Sequence, residues 1–280
     1  MQTDLTPRET DLLSNAGVGR TSLLIAAWRA MEAEQIDPLV IDPIANIFVD
    51  QETAAWANEV AQASVSTRHL INYRTRYFDD YLREEVRRGV TQIVILGAGL
   101  DTRSLRLGNS GVTFLEVDRA EVLRFKRRQL ERFGYFIPSH FIEADYIQDD
   151  WMASLEDVGF RPESETYFIW EGNTMYIPSD AILSFLSQLK SEVPRFKISF
   201  DFVSEEMIRG KAATDLVDQF ENMDAKWVTG FADIGPVATR VGLTLLENLR
   251  VSDVVKPSPH RGGLGDFFQD YLICTLGHGG

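Results

Sequence analysis

Acidic side chains stand where the first four predicted strands end. Asp101 follows the glycine turn Gly97–Gly99, directly after an apolar run. Asp118, Asp145 and Glu171 follow the next three apolar segments. The carboxyl ends of parallel strands meet at one edge of an open sheet, and ligands bind there. Glycine lets the backbone turn tightly and approach a ligand closely. The spacing therefore predicts a site for a ligand that carries hydrogen-bond donors or positive charge.

The residues of the glycine turn argue against a phosphate ligand. A dinucleotide fold uses the pattern G-x-G-x-x-G, in which the helix N-terminus holds a pyrophosphate. Here Thr102 replaces the third glycine, and the Asp101 carboxylate would repel a phosphate. S-adenosylmethionine has no phosphate, and its sulfonium, amine, hydroxyls and adenine amino group favour acceptors or negative charge. The acids favour this cofactor. A nucleotide-binding oxidoreductase and a non-catalytic cofactor-binding protein stay open as alternatives.

Two arginines are candidates to hold the cofactor's carboxylate. Arg20 and Arg74 both lie in the N-terminal part of the chain, which has a helical pattern. The planar guanidinium fork holds a carboxylate through two hydrogen bonds. Both side chains are candidates to fold back over the edge where the acids meet, although residue type alone favours an exposed surface position for each.

The histidines and the residues after the fourth predicted strand bear on which group would accept a methyl group from this cofactor. The chain has four histidines: His69, His140, His260 and His278. None of them forms a recognisable catalytic dyad, and no His-rich spacing predicts a metal site. A carboxylate is already ionised, whereas a phenol or enol is helped by a base, so we favour an acidic acceptor. Tyr176 and Asn173 are candidates to orient it. Tyr77 and Phe78 either contact an aromatic substrate or pack in the core.

A mainly parallel sheet with helices on both faces is predicted to bring these residues together, because strand and helix patterns alternate. The predicted strands are Gln92–Leu96, Val112–Val117, His140–Glu143, Thr166–Glu171 and Phe196–Phe202, with weaker ones at 243–250 and 269–276. The predicted helices between them span 120–133, 179–191 (with Ser179 as N-cap) and 204–223, and 257–265 is a predicted loop.

The first ninety residues have a different, all-helical pattern. Apolar residues at helical spacing predict helices at 14–35, 44–63 and 65–88. Two Asp-Pro pairs interrupt the pattern between the first and second of these. We therefore divide the chain into a helical extension, residues 1–90, and a ligand-binding core, residues 91–280.

Composition narrows the class of protein. A net charge of −14 over 280 residues makes nucleic acid an unfavourable partner. The one cysteine, Cys274, allows neither an internal disulfide nor a cysteine metal cluster. The N-terminus lacks a signal-peptide pattern, and no apolar run approaches the ~20 residues that span a bilayer. We expect a cytoplasmic, metal-independent protein with a small-molecule partner and no membrane partner; monomer and homodimer both stay open.

Seven segments, taken in order, resemble one protein family. They are RTSLLIAAWRA, DPLVIDPIA, NYRTRYFDD, IVILGAGLDTRSLRL, EVDRAEVLRFK, EADYIQDDW and WEGNTMYI, and they run from about residue 17 to about residue 190. Together they are similar to the leucine carboxyl methyltransferase family. The resemblance is greatest to its bacterial branch of S-adenosylmethionine-dependent O-methyltransferases, which act on small molecules such as polyketide carboxylates. Later in the chain, DYLICTL resembles the family's last strand.

The resemblance implies a fold and a role for each candidate residue. The fold would be the class I methyltransferase sheet, Rossmann-like with seven mostly parallel strands, under an N-terminal helical lid. The implied contacts are Arg20 and Arg74 with the cofactor carboxylate, Gly97, Gly99 and Asp101 with the methionine, Asp118 (and less so Glu116) with the ribose, Asp145 and Tyr146 with adenine, and Glu171 with the amine. Asn173 departs from the family's more apolar residue, which bears on the acceptor pocket. A protein C-terminus, the substrate of the eukaryotic branch, is the alternative acceptor.

Overall fold

The described residues form a seven-stranded sheet. The computed structural model describes residues 17–63, 65–211, 214–223, 225–255 and 266–279. The strands are β1 (Gln92–Leu96), β2 (Thr113–Asp118), β3 (Ser139–Glu143), β4 (Thr166–Trp170), β5 (Phe196–Val203), β6 (Thr244–Arg250) and β7 (Tyr271–His278). Their order is β3-β2-β1-β4-β5-β7-β6, and β7 pairs antiparallel with β5 and β6 while the other pairs are parallel. The predicted seven-stranded, mostly parallel α/β fold is confirmed.

Helices precede the sheet and connect its strands. The α-helices are α1 (Gly17–Ala33), α2 (Gln51–Ala63), α3 (Val65–Arg87), α4 (Arg103–Arg106), α5 (Ala120–Arg132), α6 (Trp151–Asp157), α7 (Ser179–Glu192), α8 (Glu205–Ile208), α9 (Thr214–Glu221), α10 (Gly235–Val241) and α11 (Val251–Val254). Short 3-10 helices span Pro43–Phe48, Thr174–Tyr176 and Asp266–Asp270. Within the described ranges, none of the helices has the length and apolar character needed to cross a membrane.

Both faces of the central strand β1 are buried. Its side chains alternate between two hydrophobic clusters, as the period of a strand requires. Ile93 and Ile95 join a cluster that includes Trp28 of α1, whereas Leu96 joins a second cluster with Phe185 of α7. Burial on both sides is typical of a parallel strand between helical layers. The N-terminal helices thus share the sheet's core, and the division of the chain at residue 90 stays a prediction.

The single helix predicted over 44–63 is wrong, because the chain makes two helices there. Asp42 caps the first, a 3-10 helix, by accepting a hydrogen bond from Ala45 N at 3.1 Å. The chain then becomes extended at Val49. Asp50 accepts from Thr53 N at 2.7 Å at the start of α2. Each aspartate satisfies backbone donors at a helix start, and two such caps divide the segment.

The helical stretch predicted over 204–223 is also divided. Ser204 caps α8, and the chain leaves the helix at Gly210, whose φ is +67°. A left-handed residue ends an α-helix, and glycine adopts it without strain. Residues 214–221 then form α9. The predicted loop 257–265 and the first residues of the helix predicted at 14–35 lie outside the described residues.

Candidate functional site

A cavity of about 380 Å³ opens at the carboxyl ends of β1, β2 and β4. Strands β2 and β4 lie on either side of β1, so the order of the strands reverses at β1. Open α/β sheets bind ligands at the carboxyl ends of the strands at such a switch point. Helix α1 contributes Thr21, Ser22, Ile25 and Arg29 to the lining. The cavity is therefore formed jointly by the sheet edge and the N-terminal helices.

The turn that follows β4 packs against the glycine turn. Gly97 and Gly99 have φ of +61° and +50°. A Cβ on Gly97 would lie 2.4 Å from Asn173 Oδ1, so no other residue fits there without displacing that side chain. Asn173 Nδ2 donates to the carbonyl oxygens of Glu171 at 2.7 Å and of Leu96 at 3.4 Å. Asn173 thus joins the ends of β1 and β4.

Asp118 binds the glycine turn from the end of β2. It lies at the end of β2, where its Oδ2 accepts from Gly99 N at 2.6 Å and its Oδ1 accepts from Arg119 N at 2.7 Å. Burial raises the pKa of this carboxyl, although both backbone donors oppose the shift. The result is a fixed carboxylate at the cavity wall, next to the turn.

The segment after β3 brings Asp145 and Tyr146 to the cavity. Asp145 accepts from Ile147 N at 3.0 Å and from Gln148 Nε2 at 2.8 Å. The Tyr146 hydroxyl accepts from Trp170 Nε1 at 3.0 Å, and burial raises the pKa of this tyrosine. This end of the cavity therefore combines a carboxylate with an aromatic ring.

Glu171 and Arg74 face each other in the cavity, next to the carboxyl end of β4. Arg74 Nε donates to Glu171 Oε1 at 2.9 Å, and Nη1 donates to Asp201 at 3.3 Å and to the Tyr271 hydroxyl at 2.9 Å. Nη2 takes part in none of these bonds. Glu171 Oε2 lies 2.6 Å from Arg103 Nη2, yet it is buried without a hydrogen bond of good geometry. Arg74 Nη2 thus makes no bond within the pair, and Glu171 Oε2 forms an ion pair with Arg103.

Asp201 and Tyr271 hold this end in place. Asp201, fully buried in β5, accepts from Gly172 N at 2.6 Å as well as from Arg74 and from the Tyr271 hydroxyl. Burial raises the pKa of Asp201. For Arg74, burial alone would lower the pKa, but the neighbouring Tyr271, Asp201 and Glu171 raise it. One carboxylate therefore fixes both the arginine and the turn after Glu171.

A continuous network of buried ion pairs links the N-terminal helices to the sheet edge. Its members are four arginines and five carboxylates: Arg29, Arg74, Arg103, Arg106, Asp42, Asp79, Asp101, Glu171 and Asp201. Burial alone would raise the pKa of Asp101, but chiefly Arg103 lowers it to about 2. With every member ionised, the network carries one negative charge in excess.

The cavity brings together most of the residues singled out from the sequence. Those that line it are Arg74, Gly97, Gly99, Asp101, Asp118, Asp145, Tyr146, Glu171, Asn173 and Tyr176. Arg20 is outside the lining; its guanidinium lies 4.8 Å from the Trp56 ring centroid. Arg29, about two and a half turns further along α1, lines the cavity instead and donates to Leu100 O at 2.6 Å.

Other candidates lie elsewhere in the fold. Glu116 is a buried residue of β2 outside the cavity lining, and it accepts from Ser104 Oγ and Lys126 Nζ. Tyr77 donates to Glu247 at 2.8 Å, and Phe78 is fully buried in the core. None of the described histidines lines the cavity. Within the described ranges, no group of three or more His, Cys, Asp or Glu side chains could hold a metal ion.

Three residues of the site were not predicted from the sequence. Asp201 stands as a lone acid within the apolar segment FKISFDFV, and that isolation was the available signal. Arg103 stands two residues after Asp101 and is buried against it, which the spacing alone does not reveal. Arg29 falls on the same helix as the candidate Arg20, and only the packing of α1 distinguishes the two.

Comparisons with known proteins agree with this geometry. A family model described as leucine carboxyl methyltransferase matches residues 22–190. Relatives from Mycobacterium tuberculosis and Mycolicibacterium smegmatis, named as candidate S-adenosyl-L-methionine-dependent methyltransferases, are 38% identical over 177 and 180 residues. Each match covers 59% of this chain, and it covers 59% and 56% of the two relatives, so it spans less than two thirds of their length.

Solved structures extend the likeness of fold to most of the chain. A DUF574 family protein from Streptomyces avermitilis has a TM-score of 0.62 at 10% identity, covering 90% of this chain and 96% of that one. A candidate methyltransferase from Thermobifida fusca has a TM-score of 0.61 at 13% identity, covering 81% and 88%. The fold is that of class I methyltransferases. By its matched segment, the chain belongs to the leucine carboxyl methyltransferase family, as the sequence motifs predicted.

Proposed function

We propose that the chain is an S-adenosylmethionine-dependent O-methyltransferase for a carboxylate or an acidic hydroxyl of a small molecule, such as a polyketide. The observation that carries the proposal is the convergence of the glycine turn, Asp118, Asp145 and Glu171 on one cavity. Its volume of about 380 Å³ lies in the range of small-ligand sites. The name of the matched family and the names of the relatives support the same activity.

The residues present fit this cofactor at each end. Asp118 would accept from the ribose hydroxyls, and Asp145 would accept from the adenine amino group. At the other end, Arg74 Nη2 would donate to the carboxylate, and Glu171 Oε2, which also forms an ion pair with Arg103, would accept from the amine. Gly97 and Gly99 line the cavity between these two ends, where they would contact the methionine. The negative excess of the ion-pair network matches the net positive charge of a zwitterionic amino acid with a sulfonium.

The chain's own part in the reaction is to align the reactants and exclude water. The bound cofactor would supply a methyl group on a positively charged sulfur. Helix α1 and the residues Tyr176, Ile177 and Pro178 also line the cavity, where they would shield the reacting atoms from water. Alignment at contact distance is the main source of rate in such a displacement. The N-terminal extension, residues 1–90, serves in this proposal as a lid.

Calorimetry tests the proposal. The full chain is titrated with S-adenosylmethionine, S-adenosylhomocysteine and NADH. We expect binding of the first two and none of NADH, because the turn lacks a phosphate cradle. Asp118→Asn should weaken S-adenosylhomocysteine about tenfold or more, the worth of a hydrogen bond to a charged group. Glu143→Gln is the matched control, since Glu143 ends β3 but lies outside the cavity and pairs with Arg124.

Three outcomes would change the assignment. Binding of NADH in place of the methyl donor would favour the oxidoreductase. Release of S-adenosylhomocysteine with peptides but not with small acids would favour a protein C-terminus as the acceptor. Cofactor binding with no turnover against either panel would favour a non-catalytic binding protein.

A further inference from the structure

A cation lies at the nucleoside end of the cavity, where the proposed function names only acceptors. Arg119 directly follows Asp118 at the end of β2 and contributes to the lining. In the proposed function, Asp118 accepts from the ribose and Asp145 accepts from the adenine amino group. The ring nitrogens of adenine also accept hydrogen bonds, and an ionised carboxylate cannot donate to them. A donor at this end would therefore complete the match to the base.

The Arg119 guanidinium has one nitrogen that is bound and one that is not. Its Nη1 lies 3.3 Å from Glu121 Oε1, whereas Nη2 is shielded from solvent and has no acceptor among the described residues. A buried donor without an acceptor costs free energy, and a ligand that accepts from it removes that cost. Arg68 Nε and Trp151 Nε1 are unpaired too, but neither residue lines the cavity. Arg119 differs from these two because it belongs to the wall of the proposed cofactor site.

The neighbours of the Arg119 guanidinium place it at the nucleoside end. Burial raises the pKa of Asp118 and the pKa of Tyr146, and the charge of Arg119 is among the influences that oppose both shifts. These are residues that the ribose and the adenine would contact. Gln148 Nε2, a second side-chain donor at this end, already donates to Asp145 at 2.8 Å. The Arg119 cation therefore lies close to the residues proposed for both halves of the nucleoside.

The ion pair that holds the outer end of the Arg119 side chain is weak. The side chains of Arg119 and Glu121 are 39% and 44% exposed. Such an exposed pair contributes little stability, because both charges are hydrated and both side chains lose rotational freedom. Separating Nη1 from Glu121 therefore costs little. A turn of the guanidinium can bring Nη2 to an acceptor in the cavity, while the backbone N–H of Arg119 still donates to Asp118 Oδ1 at 2.7 Å.

We propose that Arg119 donates a hydrogen bond from Nη2 to a ring nitrogen of the cofactor's adenine, and so recognises a part of the base that the carboxylates cannot bind. The inference rests on the proposed function and extends the contacts from the ribose and the amino group to the ring itself. None of the contacts implied by the family resemblance involves Arg119. The charged donor favours a base that presents this ring nitrogen over one in which a C–H group replaces it.

Deaza analogues of S-adenosylhomocysteine test the contact. In the 1-deaza, 3-deaza and 7-deaza analogues, a C–H group replaces one ring nitrogen, while the ribose and the amino-acid part stay in place. Calorimetry of all four ligands on the unaltered full chain and on Arg119→Met gives a double-mutant cycle for each nitrogen. Arg119→Met should bind S-adenosylhomocysteine about tenfold more weakly, the worth of a hydrogen bond from a charged donor. One analogue should bind the unaltered chain about tenfold more weakly and lose nothing further in the variant.

Arg124→Met is the matched control, because it removes the same charge from helix α5 at a residue that pairs with Glu143 outside the cavity. It should leave all four affinities within about twofold. If Arg119→Met leaves every affinity unchanged, or weakens all four ligands by one factor, the inference is overturned, since packing or charge alone acts on every analogue alike. If S-adenosylhomocysteine does not bind the unaltered chain, the proposed function fails and the inference with it. Binding of S-adenosylhomocysteine without coupling at any ring nitrogen refutes the inference alone.

Discussion

Replacing Asp201 by asparagine tests how the cofactor's amino-acid end would be held. Asp201 Oδ1 accepts from Gly172 N at 2.6 Å, while Oδ2 accepts from Arg74 Nη1 and from the Tyr271 hydroxyl. An asparagine in the same position keeps a carbonyl oxygen for Gly172. It then turns its NH₂ group toward Arg74, donor against donor. The variant keeps the shape of the side chain but removes the charge that fixes the guanidinium.

The size of the effect follows from the burial of the pair. Removing one partner of a buried ion pair costs about 3–5 kcal/mol of folding stability. An Arg74 that no longer faces the ligand loses a charged hydrogen bond, worth about 1.5–3 kcal/mol, which is about 10- to 100-fold in affinity. Tyr271→Phe keeps the Asp201–Arg74 pair and loses one neutral hydroxyl, so we expect an effect of only a few-fold.

Two ligands separate a local effect from a general one. S-adenosylhomocysteine carries the amino-acid end, and methylthioadenosine has only the nucleoside and its thioether. Calorimetry on folded Asp201→Asn, checked by circular dichroism, should show the 10- to 100-fold loss for the first ligand. Methylthioadenosine should keep its affinity within about twofold. An equal loss for both ligands, or no loss for either, would refute the role of Asp201 in positioning Arg74.

Two further variants probe the glycine turn and the ion-pair network. Asp101 has a folded pKa of about 2, below the usual 3.8, so it contributes about 2 kcal/mol of stability above pH ~4 that is lost as pH falls toward 2. Urea denaturation of Asp101→Asn should therefore show a deficit at pH 7 that closes in acid; a constant deficit would contradict the shift. Gly97→Ala should cost at least about 1–2 kcal/mol, because φ is +61° and the new Cβ meets Asn173. Adding Asn173→Ala should restore only the part of the stability that the clash with Asn173 costs. Full recovery of stability would contradict a contribution from backbone strain at residue 97.

The sheet and its acids were open to prediction because their signals are local. Strand β1 is a short apolar run that ends in glycines, and this places a turn at the carboxyl edge of a parallel sheet. Asp118, Asp145 and Glu171 follow strands in the same way, so the topology alone brings them to one edge. Helix divisions were missed where a cap lies inside a continuous helical pattern, as at Asp50.

The partners of the site's arginines could not be predicted, because they depend on packing between distant segments. Arg74 and Asp201 are 127 positions apart and meet only when α3 crosses the end of β5. Arg20 and Arg29 share helix α1, and the rotation of that helix decides which one lines the cavity. The periodicity of apolar residues predicts where a helix lies. Which face of that helix lines the site depends on how the helix packs against the rest of the core.

A crystal structure of the chain with S-adenosylhomocysteine tests the central claim most directly. We expect the ligand in the cavity of β1, β2 and β4, with its ribose hydroxyls within hydrogen-bond distance of Asp118. Its amino group should donate a hydrogen bond to Glu171, and its carboxylate should accept one from Arg74. A ligand found elsewhere on the fold, or one that lies in the cavity with its amino-acid end away from Glu171 and Arg74, would contradict the proposed site.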